Sequence, residues 1–147
     1  MSRIYVASSW RNPYQPDVVE GLRRAGHQVY DFRNPAPGNH GFHWSEIDPH
    51  WESWRASQFR ELLLRSPIAA TGFGADWGAM SWADTGVLLL PCGRSAHLEA
   101  GYFVGAGKPL HILLAELPEP ELMYRMATSI SLTLDELLDR LGAAVAR

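Results

Sequence analysis

The run Val87-Leu88-Leu89-Leu90 is the most apolar short stretch of the chain. An unbroken aliphatic run of strand length, closed by Pro91 and Gly93, suits a strand covered on both faces, as in a parallel sheet. Parallel strands need a long crossover between them, usually a helix, and the flanking sequence supplies candidates. Arg3–Ala7 ("RIYVA") reads as a strand. The helix that follows carries Pro16 in its first turn, Asp17 to complement the dipole, an apolar face of Val18, Val19 and Leu22, and a stop at Gly26. His27–Phe32 is a second strand, completing a strand–helix–strand unit in about thirty residues. Helices are expected over Ser57–Arg65 and Ile68–Trp82. The central strand, Thr85–Pro91, leads into a helix over Ser95–Gly107 and a strand over Pro109–Ala115. A short helix or turn (Pro118–Ala127), a last short strand (Thr128–Ser131) and a C-terminal helix from Thr133 to Arg147 complete the chain. Thr133 and Glu136 stand at capping-box spacing.

That order implies an α/β three-layer sandwich on a mostly parallel, about five-stranded Rossmann/flavodoxin-like sheet. At 147 residues and 46% hydrophobic, the chain suits one domain with a full core. The segment Arg33–Trp54 breaks the rhythm. It holds Pro35, Pro37 and Pro49 beside Phe42, Trp44, Trp51 and Trp54, and reads as an ordered loop or lid.

Ligands of such sheets bind beyond the carboxyl ends of the strands. Those ends carry Ala7–Asn12, Arg33–Asn39 and Pro91–Glu99. Glu99 follows the central strand closely. A carboxylate beside an apolar wall acts as a nucleophile or base, although a first-turn Glu also complements a helix dipole. Gly93, Arg94 and Ser95 form the turn before the helix, where backbone N–H groups and a hydroxyl suit an anion or a ribose hydroxyl. Ser95 also suits a plain N-cap, and the two readings are compatible. His97 points away from Glu99 and suits a structural or rim position. Asp84 ends or caps the preceding helix, with Asp76 two turns earlier on the same face. Tyr5 lies near the end of the first strand. Ser9, Trp10, His43 and Trp44 are candidate contacts, the tryptophans either stacking on a planar base or forming a satellite core.

Several classes lose support. A net charge of −3 offers no electrostatic grip on nucleic acid. Cys92 is the single cysteine, so no intrachain disulfide forms, which is compatible with a reducing cytoplasm. No secretion signal is evident, and no apolar stretch reaches membrane-spanning length. His40, His43, Asp48 and His50 fit no compact ligand spacing, so no metal is expected. No dinucleotide, P-loop or serine-elbow motif is present, and no cofactor is called for.

Three blocks in order, "RIYVASSW", "DWGAMSWADTGVLLL" and "GRSAHLEAGYFVGAGKPLHILL", resemble the nucleoside 2-deoxyribosyltransferase superfamily over about Arg3–Leu114. The tryptophan-rich insert sets the chain apart from the best-studied members and points to a bacterial or prophage branch. The resemblance implies cleavage or transfer at the N-glycosidic bond of a nucleoside or nucleoside 5′-monophosphate. Glu99 would be the nucleophile of the E-x-G-x-x-x-x-x-G-K-P pattern. Tyr5 would orient it, Asp76 would help protonate the leaving base, and Ser95 and its neighbours would hold a sugar hydroxyl or a 5′-phosphate. The transferases carry Asp in the turn before the Glu, and the nucleoside monophosphate hydrolases carry Ser. Ser95 and Arg94 therefore tilt the reading toward a phosphorylated substrate. The superfamily implies a homodimer or higher homo-oligomer, with Tyr124 or Arg125 reaching a neighbour's site. A non-catalytic nucleotide-binding or sensor module is the alternative, and a tryptophan-based partner surface is a third reading.

Overall fold

The computed structural model describes residues 1–145, and the last two residues of the expected C-terminal helix lie outside them. Five strands, β1 (Arg3–Ala7), β2 (Gln28–Tyr30), β3 (Thr85–Leu90), β4 (Leu110–Leu114) and β5 (Ser129–Ser131), form one sheet in the order β2-β1-β3-β4-β5. Every pairing is parallel. The helices are α1 (Gln15–Arg24), α2 (Ala56–Arg65), α3 (Pro67–Trp82), α4 (Arg94–Gly105) and α5 (Leu134–Val145). The expected elements are all present, most with ends shifted by a residue or two. The Pro118–Ala127 stretch resolves into a 3₁₀ turn at Leu122–Met126.

Chain contacts divide the protein into two compact units, residues 1–31 with 80–147, and residues 32–79. In the first unit, β3 occupies the middle of the sheet and Val87–Leu90 are at most 1% exposed, as the aliphatic run requires. One sheet face packs on α1 and α5 through Ile4, Val6, Val87, Leu89, Leu113, Val18, Val19, Leu22, Leu137 and Leu141. Each such side chain contributes about 1.5–3 kcal/mol on full burial. The other face receives α4, whose Ala96, Ala100 and Phe103 are buried. Gly26, at φ +94°, ends the chain's turn out of α1 in a conformation that favours glycine. At the start of α5, Glu136 N donates to Thr133 Oγ1 at 3.2 Å, and Leu132 N, one residue before the cap, donates to Glu136 Oε2 at 2.7 Å. Buried Gln15 Nε2 donates to Asp31 at 2.9 Å, tying the start of α1 to the residue after β2.

Lys108 explains part of the G-K-P sequence. Its ammonium donates to the carbonyls of Met80, Ser81 and Ala83 at 3.0, 3.1 and 2.7 Å, so it satisfies the carboxyl end of α3. Helix ends leave such carbonyls unpaired and favour a cation there.

The second unit, Phe32–Ala79, is more than a loop. It contains α2 and most of α3 as well as the tryptophan-rich segment, whose regular structure is limited to 3₁₀ turns at Trp44–Glu46 and Trp51–Ser53. Trp44 packs edge-on against Phe42, Trp54 and Phe59, with ring centroids 4.7, 5.8 and 5.6 Å away. Trp54 Nε1 donates to Asp48 at 2.7 Å. These rings form a satellite core, which accounts for the order of a segment so rich in proline.

Candidate active site

Strand order reverses between β1 and β3, and in open parallel sheets that switch point opens the ligand crevice at the carboxyl ends. Tyr5 lies on β1 at this position. Its register partners are Tyr30 on β2 and Gly86 on β3. Its ring stacks on Tyr30 at 5.4 Å and 13°, and tilts against Phe103 of α4 at 5.9 Å. Phe103 approaches so closely because residue 86 is glycine: a Cβ there would lie 2.7 Å from the ring. The phenol, 1% exposed, donates its hydrogen bond to Glu99 Oε2. A hydrogen bond to a carboxylate is roughly twice as strong as a neutral one. Gly86, Phe103, Tyr30 and Tyr5 thus hold one half-buried carboxylate in place.

Gly93, not Ser95, is the N-cap of α4, and no side chain caps it. Gly93 takes that position with extended backbone and leaves Ser95 as the second helical residue. Glu99 is therefore the sixth residue of α4, in its second turn. The helix dipole acts mainly within the first turn, so dipole complementarity does not account for Glu99. Arg94, Ser95 and Gly93 are exposed at the edge where a ligand would enter. Cys92 sits close enough for the Glu99 charge to matter: burial and that charge push its thiol up to about 12. A thiol so raised is no nucleophile at neutral pH.

Asn12 closes the Ala7–Asn12 segment at the carboxyl end of β1. It is 1% exposed. Its Nδ2 donates to Pro91 O at 3.0 Å, and its Oδ1 accepts from Tyr14 N at 2.8 Å. Ser8 Oγ donates to Leu89 O at 3.0 Å. The β1–α1 loop and the β3–α4 turn are thereby one piece, and the only sequence signal was the turn-forming Asn12-Pro13 pair. On that loop Ser9 Oγ accepts from Arg11 N at 3.1 Å and Trp10 is 42% exposed.

His97 donates from Nδ1 to Gly93 O at 2.7 Å, which leaves Nε2 as acceptor for Tyr124 O–H at 2.9 Å. Tyr124 is thus engaged within its own chain, while Arg125 is exposed. Asp84 is not part of α3. It lies beyond the helix end and accepts from Arg3 N at 3.1 Å and Thr85 Oγ1 at 2.9 Å. Asp76, His43 and Trp44 belong to the second unit, with Asp76 partly buried on α3, Trp44 in the satellite core and His43 exposed. Of the six tryptophans, Trp44 and Trp54 are half-buried and the other four are exposed. Among the described residues no three His, Cys, Asp or Glu side chains converge as a metal site. No described helix is long and apolar enough to cross a membrane.

No family model and no curated protein matches the chain. Solved structures do. A 2-deoxyribosyltransferase from the psychrotolerant bacterium Bacillus psychrosaccharolyticus superposes with a TM-score of 0.64 at 17% identity, over 92% of this chain and 90% of its own. The CMP N-glycosidase BcmB of Clostridium botulinum superposes with a TM-score of 0.53 at 16% identity, over 97% and 98%. The chain has the nucleoside deoxyribosyltransferase fold. In that fold two related chemistries occur, one a glycosyl transfer and one a nucleotide N-glycosidase.

Proposed function

We propose that the protein cleaves, or transfers at, the N-glycosidic bond of a nucleoside or nucleoside 5′-monophosphate. The Tyr5–Glu99 hydrogen bond at the sheet's switch point carries this reading. It supplies an oriented carboxylate at the edge where such sheets bind ligands, in a fold that hosts a deoxyribosyltransferase and a CMP N-glycosidase.

Glu99 attacks the anomeric carbon through a carboxylate oxygen. The C1′–N bond breaks and its electron pair leaves with the base, which takes up a proton from the solvent. The sugar is left as an ester of Glu99. Water, or the N–H of a second base, then attacks the same carbon and gives up a proton to the solvent, and Glu99 leaves as a carboxylate. This is the two-step logic of a retaining glycosidase, with an oxocarbenium-like transition state. Tyr5 holds the attacking oxygen in line through its phenol. Ser95, Arg94 and the Gly93 turn hold the sugar hydroxyl or the 5′-phosphate, and Trp10 covers the base. The arginine and serine favour a phosphorylated substrate, hence hydrolysis over transfer.

The test is incubation with ribo- and deoxyribonucleosides and their 5′-monophosphates, with and without an acceptor base, followed by chromatography. Release of free base that disappears in Glu99→Gln is the expected result. Equal release in the variant would overturn the mechanism. Binding of a nucleotide without any release would leave a binding module instead.

A further inference from the structure

Gly93 opens α4 without a side chain to cap it, and the first bond of the helix is long. His97 N donates to Gly93 O at 3.4 Å, where about 2.9–3.0 Å is usual. The closer donor to that carbonyl is the His97 ring, whose Nδ1 lies 2.7 Å from Gly93 O. A carbonyl oxygen has two lone pairs and takes both bonds. Cys92 Sγ, 3.9 Å from the same nitrogen, is too distant to compete. His97 thus closes the first turn twice, weakly through its backbone and closely through its imidazole.

The imidazole is itself held. Gly93 O can only accept, so Nδ1 carries the proton, and Nε2 of the neutral ring is an acceptor. Tyr124, on the 3₁₀ turn Leu122–Met126, donates its O–H to Nε2 at 2.9 Å. The two rings stack at 5.8 Å and 19°. Burial raises the Tyr124 phenol above its ordinary pKa, so it keeps the proton it donates. Asn12 Nδ2 holds the other end of the same turn through Pro91 O, at 3.0 Å. The turn is therefore pinned at Pro91 from the β1–α1 loop and at Gly93 from Tyr124 by way of His97. Arg94 and Ser95 follow the second pin directly and are exposed.

We infer that His97 and Tyr124 are positioning residues: through the Gly93 carbonyl they set the direction in which Arg94 and Ser95 meet a substrate's 5′-phosphate. The inference rests on the proposal that this turn grips the substrate. A phosphate depends on that direction because its pairing with arginine is bidentate and its bonds are charge-assisted. The effect falls on grip and not on bond breaking, because the hydrogen bond from Tyr5 to Glu99 uses neither residue.

Steady-state kinetics of the full chain on nucleosides and their 5′-monophosphates test this. His97→Leu should raise KM for a 5′-monophosphate about 10-fold, the worth of one hydrogen bond, with kcat within about 3-fold. Tyr124→Phe, which removes only the hydroxyl, should raise KM about 3- to 10-fold. His97→Asn places an amide N–H where Nδ1–H stood and should recover most of the loss. KM for the unphosphorylated nucleoside should move less in every variant. Unchanged KM in His97→Leu and Tyr124→Phe would overturn the inference, as would equal losses in His97→Leu and His97→Asn. Base release that still needs Glu99 would leave the proposed reaction standing in either case. A readout without turnover is the chemical shift of the His97 ring nitrogens. The Nδ1–H tautomer is expected in the wild type, moving toward Nε2–H in Tyr124→Phe. An Nε2–H tautomer in the wild type would overturn the inference whether or not the protein turns over. If no substrate releases base, calorimetric titration with the 5′-monophosphates takes the place of KM, with the same order of variants expected and equal affinities overturning it.

Discussion

Replacing Gly86 by Ala tests the packing that positions the candidate nucleophile. The new methyl would stand 2.7, 2.8 and 3.0 Å from three ring carbons of Phe103, closer than Cβ atoms are found. Phe103 is fully buried and packs on Tyr5 as well as Tyr102, so the ring has little room to yield. Overpacking of this kind costs about 1–3 kcal/mol. Restricting the unfolded chain at a former glycine returns about 0.4–1 kcal/mol. The net expectation is a loss of about 1–2 kcal/mol. For a chain of this size that lowers Tm by roughly 2–8 °C. Urea unfolding of four proteins, wild type, Gly86→Ala, Phe103→Leu and the double variant, isolates the contact. The alanine should cost measurably less in the Phe103→Leu background, giving a coupling of at least about 0.5 kcal/mol. Equal costs in both backgrounds, or no cost in the wild type, would refute the claim that Phe103 seats on Gly86.

Tyr5→Phe keeps the stacked ring and removes only the donor to Glu99, so base release should fall about 10- to 100-fold, the kinetic equivalent of a charged hydrogen bond; chromatographic rates measure it. Lys108→Met should destabilise by about 1–2 kcal/mol in urea because three carbonyls at the end of α3 lose their cation. Burial, with a smaller effect of Arg140, lowers the His111 pKa in the folded state, so the unfolded chain binds the extra proton first. Stability is then fully present above the unfolded value of about 6.5 and falls as pH drops below it. His27 is lowered too, chiefly by burial, and adds the same sign. Urea midpoints measured between neutral and mildly acid pH should decline, and His111→Leu should flatten the decline.

The sheet was legible because its strands are marked by composition. Val87–Leu90 cannot be placed anywhere but a covered strand, and Pro16, Gly26 and Thr133 punctuate the helices around it. Glu99 and Tyr5 were named from the sequence as candidates, one as a carboxylate after that strand and the other through a resemblance carried by three ordered blocks, and their roles are proposals. What joins them was not legible. The contact of Gly86 with Phe103 depends on strand register and helix approach, which no local pattern encodes. Asn12 looked like an ordinary turn residue, yet it fastens two loops distant in sequence. Ser95 was misplaced as an N-cap because glycine also serves there without offering a side-chain signal. The tryptophan-rich segment read as a lid, and its aromatic periodicity gave no hint that α2 and most of α3 belong to the same compact unit.

The central claim is that Glu99, oriented by Tyr5, forms and breaks the bond to a sugar's anomeric carbon. The most direct test is intact-protein mass spectrometry of a quenched reaction, using 2-fluoro-arabinosyl nucleoside and its 5′-monophosphate to slow the second step. The expected result is a mass increase equal to the glycosyl fragment, mapped to the peptide containing Glu99 and absent in Glu99→Gln. Base release without any such adduct, or an adduct that persists in the variant, would contradict it.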